Sequence, residues 1–348
     1  MTQKATAHDS RSADLLSDQP RSTAPRRRAI AAQVAAAALL LGCASTTPDS
    51  LAPAKDTARF ASSFEAGEPM PATQAGGGVR VEPGAGPERP YTAKAKAGYS
   101  GLRALRYQAE GSGGRMQLFP VDIAIDADTT LSWKVLPEIV DGDTAVSTGV
   151  SLDLVLDDGS RLSGLGIADH HGVRVGAAAQ AESQTLYPQQ WANKSVRLGG
   201  LQGRRIKSIE LEVQPAGGKG RASGWLDDIV IAGQAPLAVT RVSDYVLATR
   251  GTQANGTFSR GNNIPATAMP HGFNFWTPVT DAGTLSFMYS WNEKNGPDNR
   301  PRLQAQSLSH QPSPWMADRQ TFQVMPSSAS GQPDPDRQRR SLSFSHEQ

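Results

Sequence analysis

Three pairs of carboxylates are the residues whose types and spacing could support acid–base chemistry. Hydrolysis of a glycosidic bond, for example, needs two carboxyl groups on opposite sides of the bond, roughly 6.5–9.5 Å apart in an inverting enzyme. One pair lies in a predicted turn, one ends a predicted strand and one lies among prolines. None is expected to act as an acid–base pair, so we assign no catalytic residue. The pairs are Asp157/Asp158, Asp227/Asp228 and Asp334/Asp336.

The sequence gives little support for a metal site or for a nucleic-acid interface. His170 and His171 are adjacent, without further His or Cys partners in their vicinity, and a turn is the better interpretation. Lys and Arg together number 35 against 33 Asp and Glu, which gives a net charge of +2. The arginines at 337, 339 and 340 lie among Pro and Asp residues, which favours a solvated loop. We therefore expect no nucleic-acid partner.

Aromatic rings beside polar side chains suit the binding of a sugar, whose C–H faces stack on rings while its hydroxyls need hydrogen bonds. One such segment contains Tyr187, Gln189, Trp191 and Asn193, although Trp191 could instead cover one end of a core. The region after residue 237 offers further rings, including Tyr289, between Gly- and Pro-rich loops that fix the backbone. The substrate-binding candidates there are Asn262, Asn263, Trp276, Trp291, His310 and Trp315.

Short alternating segments must position these residues. Apolar residues alternate at Leu131, Trp133 and Val135, and the same period recurs at 152–156, before an Asp-Asp-Gly turn, and at 209–213. Trp133 is accordingly expected in the core. No helical period of useful length is present, so the sequence predicts antiparallel β-sandwich structure.

The N-terminal segment has the features of an export signal. Three arginines at 26–28 precede an apolar run at 29–42, which is too short to span a bilayer comfortably. The segment Leu40-Leu41-Gly42-Cys43 resembles a bacterial lipobox. This resemblance implies a lipoprotein signal peptide at residues 1–43, lipidation of Cys43 and a flexible tether at residues 44–57. A plain signal peptide with a coincidental cysteine is the alternative. Because Cys43 is the only cysteine, no intrachain disulfide can form.

Three landmarks occur within residues 58–233: Phe64-Glu65, the segment 98–107 and the segment 224–231. With these landmarks the region resembles the galactose-binding-like jelly roll that is common in carbohydrate-binding modules. In many such modules the first and last strands share a structural calcium ion, which implies Glu65 and Asp228 as ligands. The alternative is that both carboxylates only make hydrogen bonds that close the sheet edges.

Four sequence blocks occur in order within residues 237–348: Gly251-Thr252 to Pro270-His271-Gly272, Ser309-His310, Met325-Pro326 and Phe344-Ser345-His346-Glu347. With these blocks the segment resembles the N-terminal domain of glycoside hydrolase family 92, the calcium-dependent exo-α-mannosidases. Two departures from the family pattern leave the sugar specificity open: His271 replaces an apolar residue, and Gln311-Pro312-Ser313 follows His310.

The resemblance implies an inverting mannosidase whose acid, base and catalytic calcium ligands come from a following helical barrel. Since the sequence ends at Gln348, we expect an all-β fragment, a jelly roll followed by the first part of a second β-sandwich domain. The implied function is the glycan-binding part of an exported, lipid-anchored α-mannosidase acting on mannose-rich glycans. A stand-alone surface glycan-binding lipoprotein and a structural envelope protein are the alternatives.

Overall fold

The computed structural model describes residues 58–233, which we call the first module, and parts of the chain after residue 237, which we call the second module. The described parts of the second module, together with residue 246, are 252–254, 259–260, 264–268, 272, 274–280, 289, 293–309, 320–326 and 342–343. Cys43 and the tether lie outside the described residues. Within the described residues, no helix is both long enough and apolar enough to span a membrane.

Ten strands build the first module, with one short helix, α1 (Ala177–Ser183), and two 3₁₀ turns at Gly199–Leu201 and Ala216–Gly218. The strands are β1 (Ala58–Ser62), β2 (Ala75–Gly76), β3 (Val79–Gly84), β4 (Ala104–Glu110), β5 (Gly114–Ala124), β6 (Thr129–Pro137), β7 (Val150–Leu156), β8 (Ala192–Arg197), β9 (Arg205–Val213) and β10 (Arg221–Gly233).

Two antiparallel sheets form a sandwich. The first sheet has seven strands in the order β2-β3-β4-β10-β6-β8, and β1 also pairs with β10. The second sheet has three strands in the order β5-β9-β7. Because the two inner faces are apolar, one continuous core fills the space between them.

The alternation in the sequence predicted these strands correctly. Leu131, Trp133 and Val135 of β6 are at most 1% exposed and face the core, which confirms the core prediction for Trp133. The period-2 segments at 152–156 and 209–213 are β7 and β9. His170 and His171 lie in a turn, as the sequence indicated.

The outer face of the second sheet is covered by a further segment of the chain. Asp153 of β7 is fully buried on this face. Ser163 donates hydrogen bonds to the Asp153 carboxylate from both its backbone N–H and its hydroxyl. The backbone N–H of Ala177, at the start of α1, donates to Glu212 at 3.0 Å. The segment 161–183 therefore covers this face. Its seven-residue helix is too short to give a periodic signal in the sequence.

The described elements of the second module are also strands, which confirms the all-β prediction. Strands β13, β15 and β16 form a three-stranded sheet, β11 pairs with β12, and β14 pairs with β17. The strands are β11 (Gln253–Ala254), β12 (Ser259–Arg260), β13 (Phe275–Val279), β14 (Arg302–Leu303), β15 (Ala305–Ser309), β16 (Gln320–Val324) and β17 (Leu342–Ser343).

Candidate functional site

A groove of about 930 Å³ lies on the outer face of the first sheet. Strand register builds it, because side chains on paired residues of an antiparallel sheet point to the same face. One row consists of Arg80, Gln108 and Ser223, and the adjoining row contains Glu82, Arg106 and Trp225. We call this the outer groove. It is lined by residues 75–80, Arg106, residues 108–110, 138–141 and 221–223.

Glu138 is the central acceptor of the outer groove. Trp225 Nε1 donates to its Oε1 at 2.8 Å, and Ser223 Oγ donates to its Oε2 at 2.7 Å. The backbone N–H of Glu138 also donates to the carbonyl of Ser223 at 2.8 Å. These bonds fix the position of the Glu138 carboxyl group at the edge of the outer groove.

Arg106 has an unsatisfied donor beside the outer groove. Its nearest carboxylate oxygens belong to Glu82 and Glu138, at 3.6 and 3.7 Å, beyond hydrogen-bonding distance. Its buried Nε finds no hydrogen-bond partner in the described part of the chain. By contrast, Arg221 binds both oxygens of Asp141 at 2.8 Å. The Arg106 guanidinium, 5.9 Å from the Trp225 ring centroid, thus offers donors to a ligand.

An aromatic cluster adjoins the outer groove. Trp191 is 4% exposed and packs with Trp225, Leu136 and the edge of Tyr99, whose ring centroid lies 6.0 Å away. Trp191 therefore covers the sheet and does not present a ring for stacking, as the alternative for this residue held. Of its predicted companions, Tyr187 is 51% exposed. Asn193 and Gln189 lie nearby, and Asn193 accepts a bond from Lys134 at 3.1 Å.

Three titratable side chains, Lys134, Asp227 and Asp228, lie beside this cluster. Burial raises the pKa of Asp227 well above its ordinary value, and the neighbouring Asp228 adds to the shift. Burial lowers the pKa of Lys134 to about 8, although Asp228 and Asp227 act in the opposite direction. The Lys134 ammonium lies 4.4 Å from the centroid of the Tyr99 ring. Tyr99 thus covers a cation and two acids.

The predicted calcium ligands both bind one loop, residues 98–103. Glu65 Oε1 accepts the backbone N–H groups of Leu102 and Arg103, each at 2.7 Å. Asp228 Oδ1 accepts the hydroxyl of Ser100 at 2.6 Å. These are hydrogen bonds of the kind that the alternative interpretation named. Across the described residues, no three His, Cys, Asp or Glu side chains group closely enough to hold a metal ion. The calcium site remains a prediction.

The structure describes few of the other candidates. Trp276 lies on β13 with 37% of its surface exposed, so its ring is accessible. Tyr289 is only 2% exposed, and the expectation that it offers a ring to a sugar is wrong because its side chain is packed inside the module. The remaining candidates, Asn262, Asn263, Trp291, His310 and Trp315, lie outside the described residues.

Two of the three carboxylate pairs lie within the described residues. Asp157 and Asp158 lie at the turn after β7, where both contact Arg204. Asp227 accepts the backbone N–H of Ser100 and helps to hold the loop 98–103. Asp334 and Asp336 lie outside the described residues.

Comparisons with known proteins identify one segment by sequence. Residues 245–348 match the glycosyl hydrolase family 92 N-terminal domain. No curated protein matches the chain.

Solved structures show similarity at low identity. The glycoside hydrolase domain of Endo-D from Streptococcus pneumoniae R6 is 14% identical, with a TM-score of 0.32, over 51% of this chain and 28% of that one. The CBM22-1 xylan-binding domain of Paenibacillus barcinonensis Xyn10C is 14% identical, with a TM-score of 0.29, over 51% of this chain and 95% of that one. A β-1,2-glucanase from Parabacteroides distasonis is 11% identical, with a TM-score of 0.28, over 49% of this chain and 26% of that one.

The family match coincides with the four motif blocks that the sequence analysis identified. At residues 245–348 the chain therefore matches the family model of the glycosyl hydrolase family 92 N-terminal domain.

Proposed function

We propose that this chain is the glycan-binding part of an exported α-mannosidase-like glycoside hydrolase that acts on mannose-rich glycans. The observation that carries the proposal is the family 92 N-terminal domain at residues 245–348. We expect the outer groove to be the glycan-binding site of the first module. Its Arg106 donors and Glu138 acceptor suit the hydroxyl groups of a saccharide.

Substitution of Arg106 tests the role of the outer groove. We expect Arg106→Met to weaken binding of α-mannan oligosaccharides by roughly tenfold or more, since hydrogen bonds from a charged donor contribute about 1.5–3 kcal/mol. Isothermal titration calorimetry on the full chain measures the change. Met keeps much of the side-chain volume, and Arg106 has no hydrogen bond to lose within the described residues.

The matched control is Arg205→Met, which removes an arginine that pairs with Asp122 on an exposed surface of β9. It should leave glycan affinity unchanged. Equal affinity of both variants, each with a wild-type melting temperature, would exclude the outer groove as the binding site. Binding of xylan or β-glucan oligosaccharides with no binding of α-mannan would contradict the mannose assignment and leave the groove in place.

We also propose that the chain is lipid-anchored to the bacterial cell envelope through Cys43. The support is the sequence: three arginines, an apolar run and the lipobox-like segment that ends at Cys43. Acyl chains on this residue would tether the glycan-binding modules at the membrane surface.

A structural calcium ion between Glu65 and Asp228 completes the proposal. Both side chains offer the oxygen ligands that a hard cation takes, and both are attached to the loop 98–103. If calcium binds the folded chain only, millimolar calcium after EGTA treatment should raise the melting temperature. The rise should be absent in Glu65→Gln. A calcium-dependent rise that persists in this variant would place the ion elsewhere.

A further inference from the structure

A segment of the second module, residues 293–300, contacts the loop 98–103 of the first module. The side-chain amide of Asn299 donates to the carbonyl of Gly98 at 3.0 Å and to that of Gly101 at 2.6 Å. Asn299 is only 6% exposed, although it belongs to a turn. Its backbone has φ 53°, in the left-handed region that Asn tolerates better than most residues.

The segment is organised to present this amide. Asn295 Nδ2 donates to the carbonyl and to Oδ1 of Asn299, each at 3.0 Å, and so orients the amide with its Nδ2 towards the first module. Lys94 of the first module donates to the carbonyl of Asn295 at 3.1 Å. The contact therefore has donors from both modules.

The loop whose carbonyls accept these hydrogen bonds from Asn299 has little conformational freedom. A Cβ on Gly101, which has φ 68°, would lie 2.4 Å from Oε1 of Glu65, and a Cβ on Gly98 would lie 2.2 Å from the carbonyl oxygen of Arg103. Both positions consequently require glycine. Carboxylates of Glu65, Asp227 and Asp228 hold the same loop from the other side.

We propose that residues 293–300 are a docking element by which the second module fixes the loop 98–103 and joins the two modules. The partner surface is this glycine-containing loop, and the recognition chemistry is an oriented amide on two backbone carbonyls. Since Tyr99 belongs to the loop and packs against Trp191, docking also supports the aromatic cluster beside the outer groove.

Hydrogen exchange on the full chain tests this docking independently of any glycan. Asn299→Gly keeps the left-handed backbone and removes the amide, whereas Asn299→Asp replaces the donor by an acceptor that faces two carbonyls. We expect the amides of Leu102 and Arg103 to exchange about tenfold faster in Asn299→Gly and faster still in Asn299→Asp. Mass spectrometry of peptides from the 98–107 region measures this.

Asp298→Asn is the matched control, because Asp298 lies in the same segment and bonds to Arg300 and Arg302. It should leave exchange in the loop unchanged. Unaltered exchange in both Asn299 variants would overturn the proposal, and so would an equal increase in Asp298→Asn. If Asn299→Asp does not fold, Asn299→Gly and Lys94→Met decide the matter by the same measurement.

Discussion

Lys194 is an ammonium group buried inside the first module, where a charge is costly unless it is paired. Its Nζ lies 2.9 Å from Oδ2 of Asp169, and the two side chains are 2% and 1% exposed. Gln180 donates to the same carboxylate oxygen at 3.2 Å, and Thr185 accepts from Lys194 at 3.1 Å. The network ties β8 to the segment that covers the second sheet.

Asp169→Asn should destabilise the protein strongly, by about 3–5 kcal/mol, because it leaves the Lys194 charge buried without a counter-charge. Equilibrium denaturation with urea measures the loss. Asp122→Asn is the control, since Asp122 pairs with Arg205 and Lys207 on an exposed surface. Similar losses in the two variants would show that burial of the Lys194 pair has no special effect.

The same pair predicts a pH window. Burial alone would raise the pKa of Asp169, but the hydrogen bond and charge of Lys194, together with the backbone N–H groups of His171 and Val173, leave the pKa below its ordinary value. A carboxyl group whose pKa is lower in the folded state contributes stability above its unfolded pKa of about 3.9 and loses it as pH falls through the folded value. The difference in unfolding free energy between wild type and Asp169→Asn should therefore shrink below about pH 4.

At the scale of elements, alternation was enough to predict the strands but not the groove. Each strand's period shows which residues share a face, as at Leu131, Trp133 and Val135. The rows that hold Arg106, Trp225 and Glu138 together depend on how β4, β10 and β6 align, and these strands are far apart in sequence. Trp225 belongs to the motif at residues 224–231, but no local sequence pattern connects it to Arg106.

Gly224 shows how closely the first sheet packs at β10. A Cβ there would lie 2.3 Å from the Tyr107 hydroxyl oxygen and 2.4 Å from the carbonyl oxygen of Leu136. Gly224→Ala should therefore lower the free energy of unfolding by about 1–3 kcal/mol or more, as overpacked cores do. Gly200→Ala is the comparison, because nothing lies within 4 Å of the added Cβ. Equal thermal stability of the two variants would contradict this packing.

At the scale of the whole molecule, the proposed function is glycan binding without catalysis by this chain. Asp157 and Asp158 contact Arg204 at a turn, and Asp227 and Asp228 hold a loop. We expect a purified chain of residues 44–348 to release no mannose from α-mannosides, with or without calcium, because an opposed acid–base pair is needed. Chromatographic detection of free mannose is the measurement, and any turnover would contradict this expectation.

The pairing of β1 with β10 determines how the first module responds to tension. Ala58 lies opposite Ala232, so the chain enters and leaves the module at neighbouring points. A pull applied at these two ends loads the β1–β10 hydrogen bonds one after another, as in a zipper, and does not shear them all at once. The first strand should peel away at low force while the remaining nine keep their sheets, which gives a stretched chain extra length before the core yields.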